Sequence, residues 1–241
     1  MFRTLIAVLL VIPAFAQEPP EPPAAPEASS RPAQGRPSTE DERRVVIEMS
    51  KVRLHPKEYA KWLRTQVKYF QGTLWRLPDH SPIRTTEGAP ALVEAIEFLE
   101  SLPTTPGPLR FSEELAHVAQ ELVREQGPTK QTGHKGPMGS TLQSRGLLHG
   151  TFKATFGEVI NYGPEKPRWT VMQLIIDDGV PSRGHRKNIF NPDFQIAGTA
   201  IGPHEGYGEM TVVDMADAFL PGPPKESSDR EVLTDKSVHT Q

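Results

Sequence analysis

The chain of 241 residues contains no cysteine. That excludes disulfide bridges, thiolate zinc sites and cysteine nucleophiles together, so stability must come from burial in a full-sized core. Any metal site must be built from His, Asp and Glu. An excess of charge is missing as well: 27 Lys and Arg against 30 Asp and Glu leave a net charge of −3. Without a basic field there is no footprint for nucleic acid or for an anionic membrane surface. Long apolar runs are also scarce. The run from Leu5 to Phe15 follows Arg3 and ends in Ala14-Phe15-Ala16, the charged, apolar and small-residue order of a secretory signal peptide. At about 11 residues it falls well short of the roughly 20 a spanning helix needs. No cysteine follows it, so a bacterial lipid anchor has no attachment point there.

Proline, by contrast, is abundant, with 25 residues, eight of them in the first 40. From Glu18 to Ser38 the chain is mostly Pro, Ala, Glu and Ser with no aromatic or β-branched residue, a composition that cannot bury enough surface to fold. The expected organisation is a signal peptide over 1–16, a Pro-rich disordered linker over 17–40, one domain over 41–220 and a disordered tail over 221–241.

Within the domain, Thr39 and Glu42 have the spacing of a capping box, ahead of Val45, Val46, Met49 and Val52 at helical period. Pro56 and Pro90 suit first helical positions of further helices. Leu77 to Gly88 reads as a loop. Ser112 as cap, with Glu113 and Glu114 behind it and Leu115, Val118, Ala119 and Leu122 on one stripe, predicts the clearest amphipathic helix. A short helix is expected before Gly146, an extended segment over Thr151 to Tyr162, and a helix from Pro167 to about Asp178. Two runs flanking Pro203 to Gly208 predict a hairpin of strands covered on both faces. Helices first and a terminal hairpin last argue for one α+β domain with helices packed on a central antiparallel sheet.

Asp177 to Pro192 concentrates two acids, three basic residues and a histidine between an apolar helix-like run and a strand-like one. His185 there, His134 in Thr132-Gly133-His134 and Glu158 in Gly157-Glu158 each sit beside a glycine, in loops or at element ends where functional groups are commonly placed. Their wide spacing fits no local zinc motif. Two imidazoles and a carboxylate suffice for an open zinc site or for acid/base work on a ligand; they equally suit a buried acid satisfied by histidines in the service of the fold. Ser182 reads as a helix cap and not as a nucleophile. His55 and His117 read as structural, and His80, His149, His204 and His239 as solvated. Trp62, Trp75 and Trp169 either form an aromatic ligand surface or pack in the core.

Gly157-Glu158-Val159-Ile160-Asn161-Tyr162-Gly163 and Gly184-His185-Arg186-Lys187-Asn188-Ile189 resemble the GEN-type and GHR-N-I motifs of the CAP superfamily, which includes cysteine-rich secretory proteins, pathogenesis-related proteins and bacterial secreted SCP-like proteins. The resemblance covers about residues 41–220. It implies an α-β-α sandwich with helices on both faces of a mainly antiparallel sheet. It also implies an open cleft lined by two histidines and two acids, here His134, Glu158, His185 and, of the neighbours Asp177 and Asp178, Asp178, which would hold a divalent cation such as zinc. Val159 stands where the family usually has Asn. The expected function is a secreted or periplasmic binding module for a small-molecule, lipid or protein ligand, with no nucleic-acid partner and no membrane span in the mature chain. The alternatives are a metal-assisted hydrolase with Glu158 as base, or a structural surface protein.

Overall fold

The computed structural model describes residues 35–78, 81–163 and 166–222. The signal peptide expected over 1–16, most of the linker expected over 17–40 and nearly all of the tail expected over 221–241 lie outside them, as do His80 and His239. Helices α1 (Glu40–Leu54), α2 (Pro56–Arg64), α3 (Ala89–Ser101), α4 (Glu113–Gln126), α5 (Leu142–Leu147), α6 (Pro167–Ile176) and α7 (Gly184–Ile189) surround a four-stranded sheet. Its strands are β4 (Arg110–Phe111), β6 (Phe156–Tyr162), β7 (Ile196–His204) and β8 (Gly208–Ala216), in the order β4-β7-β8-β6. The β7–β8 hairpin is antiparallel, as is β8 against β6, while β4 runs parallel to β7. Short strands β1 (Phe70–Gln71), β2 (Leu74–Trp75) and β3 (Ile83–Arg84) form a small separate sheet, and β5 (Gly150–Phe152) pairs with β9 (Phe219–Pro221).

Strand alternation divides the core in two. On one face Ala119 and Leu122 of α4 pack against Ile160, Ala200, Met210 and Val212. On the other, α1, α3 and α6 bury Val159, Ala197, Val213 and Met215. Helices thus cover both faces of a mainly antiparallel sheet, the α-β-α arrangement that the motifs imply. Gly198 sets the spacing of α4, because a Cβ there would lie 2.0 Å from the Ala116 nitrogen.

The capping box forms: Glu42 N–H donates to Thr39 Oγ1 at 3.3 Å, and Thr39 N–H to Glu42 Oε2 at 2.7 Å. Glu42 also accepts from Ile201 N–H at 2.7 Å and pairs with Arg36, so a residue just before α1 is already tied to β7. Burial pushes the Glu42 carboxyl up, yet the Arg36 guanidinium and the two amides hold it below its usual range. The stretch from Leu77 to Gly88 is not wholly a loop, since β3 lies in it. A two-residue strand carries no readable period, which is why its pairing is invisible in the sequence.

Candidate functional site

Glu158 lies on edge strand β6 and faces the side covered by α4 and α5, as Ile160 does, while Val159 between them joins the opposite core. Glu158 Oε1 is 2.8 Å from His134 Nδ1, and Oε2 accepts from Arg145 Nη2 at 2.5 Å. An ionised carboxylate only accepts, so the hydrogen sits on His134 Nδ1 and a neutral ring keeps its Nε2 lone pair. The loop carrying His134 is clamped from two directions. Gln126, the last residue of α4, donates to Gly133 O at 2.7 Å and to Lys135 O at 2.9 Å. The Tyr162 hydroxyl accepts from Gly133 N–H at 2.8 Å and donates to Gln126 Oε1 at 3.0 Å. Burial raises that phenol to about 12, which keeps it a donor at neutral pH. His134 is therefore an exposed side chain on a fixed backbone.

His185 is placed by a tight turn between α6 and α7. Asp177 ends α6 in the left-handed region at φ 58°, and Arg183 enters α7 at φ 51°. Such conformations are uncommon outside glycine and persist only where surroundings fix them. Here Arg183 binds Glu87, Glu94 and the carbonyls of Asp177 and Val180. Asp177 Oδ1 is 2.7 Å from His185 Nδ1, while Oδ2 accepts from the His185 and Arg186 amides at 2.9 and 3.2 Å.

Asp177, and not Asp178, is thus the acid beside His185. Asp178 accepts from the Thr86 and Glu87 amides at 2.6 and 2.8 Å and pins that segment to the end of α6. The reversal of direction at the left-handed Asp177 turns the two neighbouring carboxylates toward different partners. The four expected residues form two His–acid pairs with Asp177 in place of Asp178. Among the described residues no three His, Asp or Glu side chains are grouped to hold a metal ion. Each carboxylate is spent on positioning an imidazole, and Glu158 is further committed to Arg145.

Asp214 escaped the sequence reading. It sits on β8 directly opposite Glu158, with Gly198 on its other side, fully buried and with neither oxygen accepting a hydrogen bond among the described residues. Burial foremost, then the Glu158 carboxylate, raise its carboxyl well above the usual range, with Arg145 offsetting part. The folded state therefore holds a proton that the unfolded chain has released above about pH 4, and stability falls as pH rises beyond that point. Asp214→Asn keeps the shape and removes the penalty. We expect its urea-unfolding free energy to equal that of the wild type near pH 4 and to exceed it by at least about 1 kcal/mol at pH 7. A difference that does not change with pH would mean that Asp214 is ionised in the fold.

Other expectations are corrected by partners they could not reveal. Ser182 makes no cap hydrogen bond; Arg183 occupies the α7 cap position. His149 is mostly covered and lies 3.1 Å from Glu121, and His204 is buried with Nε2 2.8 Å from Gln131 O, so each has a protein partner. Trp75 is core and stacks on Phe70, while Trp62 lies against Trp169 with Arg168 over its face. A cavity of about 260 Å³ opens beside His185, between β6, α6 and the small sheet.

Residues 107–215 match the model of the cysteine-rich secretory protein family, CAP. An extracellular protein containing an SCP domain from Bacillus anthracis str. Ames is similar at 21% identity, covering 53% of this chain and 38% of that one, with a TM-score of 0.36. An outer surface protein from Borrelia burgdorferi is similar at 20% identity over 52% of this chain and 86% of that one, with a TM-score of 0.39. This chain thus spans well under half the length of the Bacillus protein. No curated protein matches it.

Proposed function

We propose, from the premise that residues 107–215 are of the CAP family, that this protein is a ligand-binding module whose His134 and His185 hold a divalent cation or a polar ligand group. The observation that carries this reading is that both imidazoles are gripped at Nδ1 by an acid, which leaves Nε2 as the nitrogen without a partner among the described residues. A carboxylate behind Nδ1 fixes ring orientation and raises ligand basicity, the usual support of a metal-ligating histidine. His134 and His185 would be the ligands, Glu158 and Asp177 their supports. With two protein nitrogens such a site would suit an exchangeable cation completed by water or ligand, and not a closed structural zinc site. A bound cation would supply Lewis acidity and a coordination position for a ligand oxygen.

The hydrolase alternative draws less support, because the carboxylate meant as base has both oxygens taken by His134 and Arg145. The apolar leader over 1–16 and the Pro-rich stretch after it support a secreted or periplasmic protein on a tether. No helix among the described residues is long and apolar enough to cross a membrane.

Zinc titration by calorimetry tests the reading. One site is expected in the wild type, lost in His134→Ala/His185→Ala and weakened about 10- to 100-fold in Asp177→Asn. Equal heats in wild type and double variant, or no heat in either, would remove the cation.

A further inference from the structure

We infer that the outer edge of β6, beside His185, binds an extended peptide, which joins the sheet there as one more strand. This rests on the reading of the chain as a binding module and names its ligand class, and it does not require the cation.

Strand β6 stands last in the order β4-β7-β8-β6 and so pairs on one side only. Two bonds at its ends fix which of its peptide groups are used. Asp217 N–H donates to Thr155 O at 3.1 Å and Gly163 N–H to Glu209 O at 2.8 Å, both in the register of the β6–β8 ladder. Hydrogen-bonded pairs alternate along an antiparallel ladder, so the odd-numbered residues from 155 to 163 bond to β8. The main-chain groups of Phe156, Glu158, Ile160 and Tyr162 therefore point away from it. Asn188 of α7 uses one of them, donating to Glu158 O at 3.4 Å. Further along, the main-chain N–H and C=O of Ile160 and Tyr162 have no hydrogen-bond partner among the described residues.

The cavity of about 260 Å³ follows this open half of the edge. Ile160, Asn161 and Tyr162 all line it together with His185, although successive side chains of a strand point to opposite faces. A cavity over one face would meet every second residue; one that meets three in a row runs along the edge. Neither a proline nor a charged residue, the usual guards of an open strand edge, occurs in Ile160-Asn161-Tyr162. Spacing then selects the ligand. Residues two apart on a strand repeat an N–H and a C=O about every 6.6 Å, and a second extended backbone carries the same groups at the same interval. It alone meets all four open groups at once. Ile83, Leu174, Ile176 and Val180 give the lining an apolar share that suits the alternate side chains of such a strand.

The probe is the peptide acetyl-Val-Ser-Val-Ser-Val-amide, titrated by NMR against the isotope-labelled, chelator-treated protein. Its alternation fixes the register, because a slip by one residue would turn the valines away from the apolar lining. Saturation is expected with a Kd of about 1 mM or below. The amide protons of Ile160 and Tyr162 should move downfield and exchange with solvent at least about tenfold more slowly, while those of Val159 and Asn161, already bonded to β8, should move much less. Two further peptides, N-methylated on every valine or on every serine, each lose the main-chain donors of one edge. One of them should bind at least about tenfold more weakly than the parent, and the other within about threefold of it. No saturation by the parent, equal losses in both N-methylated peptides, or unmoved Ile160 and Tyr162 amides overturns the proposal. Because the chelator is present throughout, saturation here alongside a failed zinc titration would sink only the cation, and the converse only the peptide.

Discussion

Arg53→Met is expected to lower folding stability by about 3–5 kcal/mol and the unfolding midpoint by roughly 6–20 °C. Arg53 lies in the last turn of α1 with no solvent exposure, and among the described residues it makes no ion pair. Its guanidinium instead donates to four backbone carbonyls: Gly107 at 2.7 Å, Ile189 at 3.0 Å, Asn191 at 3.1 Å and Phe194 at 3.0 Å. Those carbonyls belong to the approach to β4 and to the passage from α7 into β7. One side chain thus joins α1 to the approach to β4 and to the segment that follows the second motif. Burial pulls its pKa down to about 10, so it stays cationic at neutral pH and its bonds remain charge-assisted. Methionine has similar length and would fill the space, which isolates the polar loss: buried carbonyls left without a donor. Urea unfolding measures it. A loss under about 1 kcal/mol would mean that water replaces the guanidinium, and that the clasp is not what holds α7 in place.

That clasp also marks where the sequence stops being legible. A basic residue in the last turn of a helix is ordinary, favoured by the helix dipole, and nothing local tells a buried clasp from a surface lysine. Elements defined by neighbours within a few residues were readable: the Thr39 and Ser112 caps, the proline starts of α2, α3 and α6, and the β7–β8 hairpin across Pro203 to Gly208. Elements defined by a distant partner were not, as β4 shows by pairing with a strand more than 80 residues away. The site divides along the same line. His134, Glu158 and His185 stand out by their glycine neighbours and their motifs, and two His–acid pairs result. Choosing Asp177 over Asp178 required the left-handed turn at Asp177, which Asp tolerates better than most residues but does not announce. Gln126, Tyr162, Arg145 and Asp214 were missed because their roles depend on strand register and on loop closure. Asp214 lies within an apolar run, where an acid interrupts the pattern; that interruption was the one available signal.

Arg145 is where register becomes energy. The alignment of Glu158 with Asp214 puts two carboxyls side by side on one face of the sheet, and the buried Arg145 guanidinium is the positive charge beside them. It also donates to His134 O at 3.3 Å and to Ser140 Oγ at 3.4 Å, so the same group that neutralises Glu158 holds the backbone of His134. Arg145→Met is therefore expected to cost about 3–5 kcal/mol at pH 8, since breaking a buried pair on one side strands the other charge. In the variant Glu158 can be tolerated only by taking a proton that the unfolded chain does not hold, so variant stability should fall as pH rises, and the deficit should shrink toward pH 5. Removing the acid as well should reverse most of the loss: Arg145→Met/Glu158→Gln is expected to be clearly more stable at pH 8 than Arg145→Met alone, because deleting both members of the buried pair leaves no stranded charge. The double variant should still bind zinc about 10- to 100-fold more weakly than the wild type, having lost the acid behind His134. Equal deficits at pH 5 and pH 8, with no recovery in the double variant, would mean that the cost of Arg145→Met is one of shape. The Glu158 carboxylate would then owe its burial to something other than the guanidinium beside it.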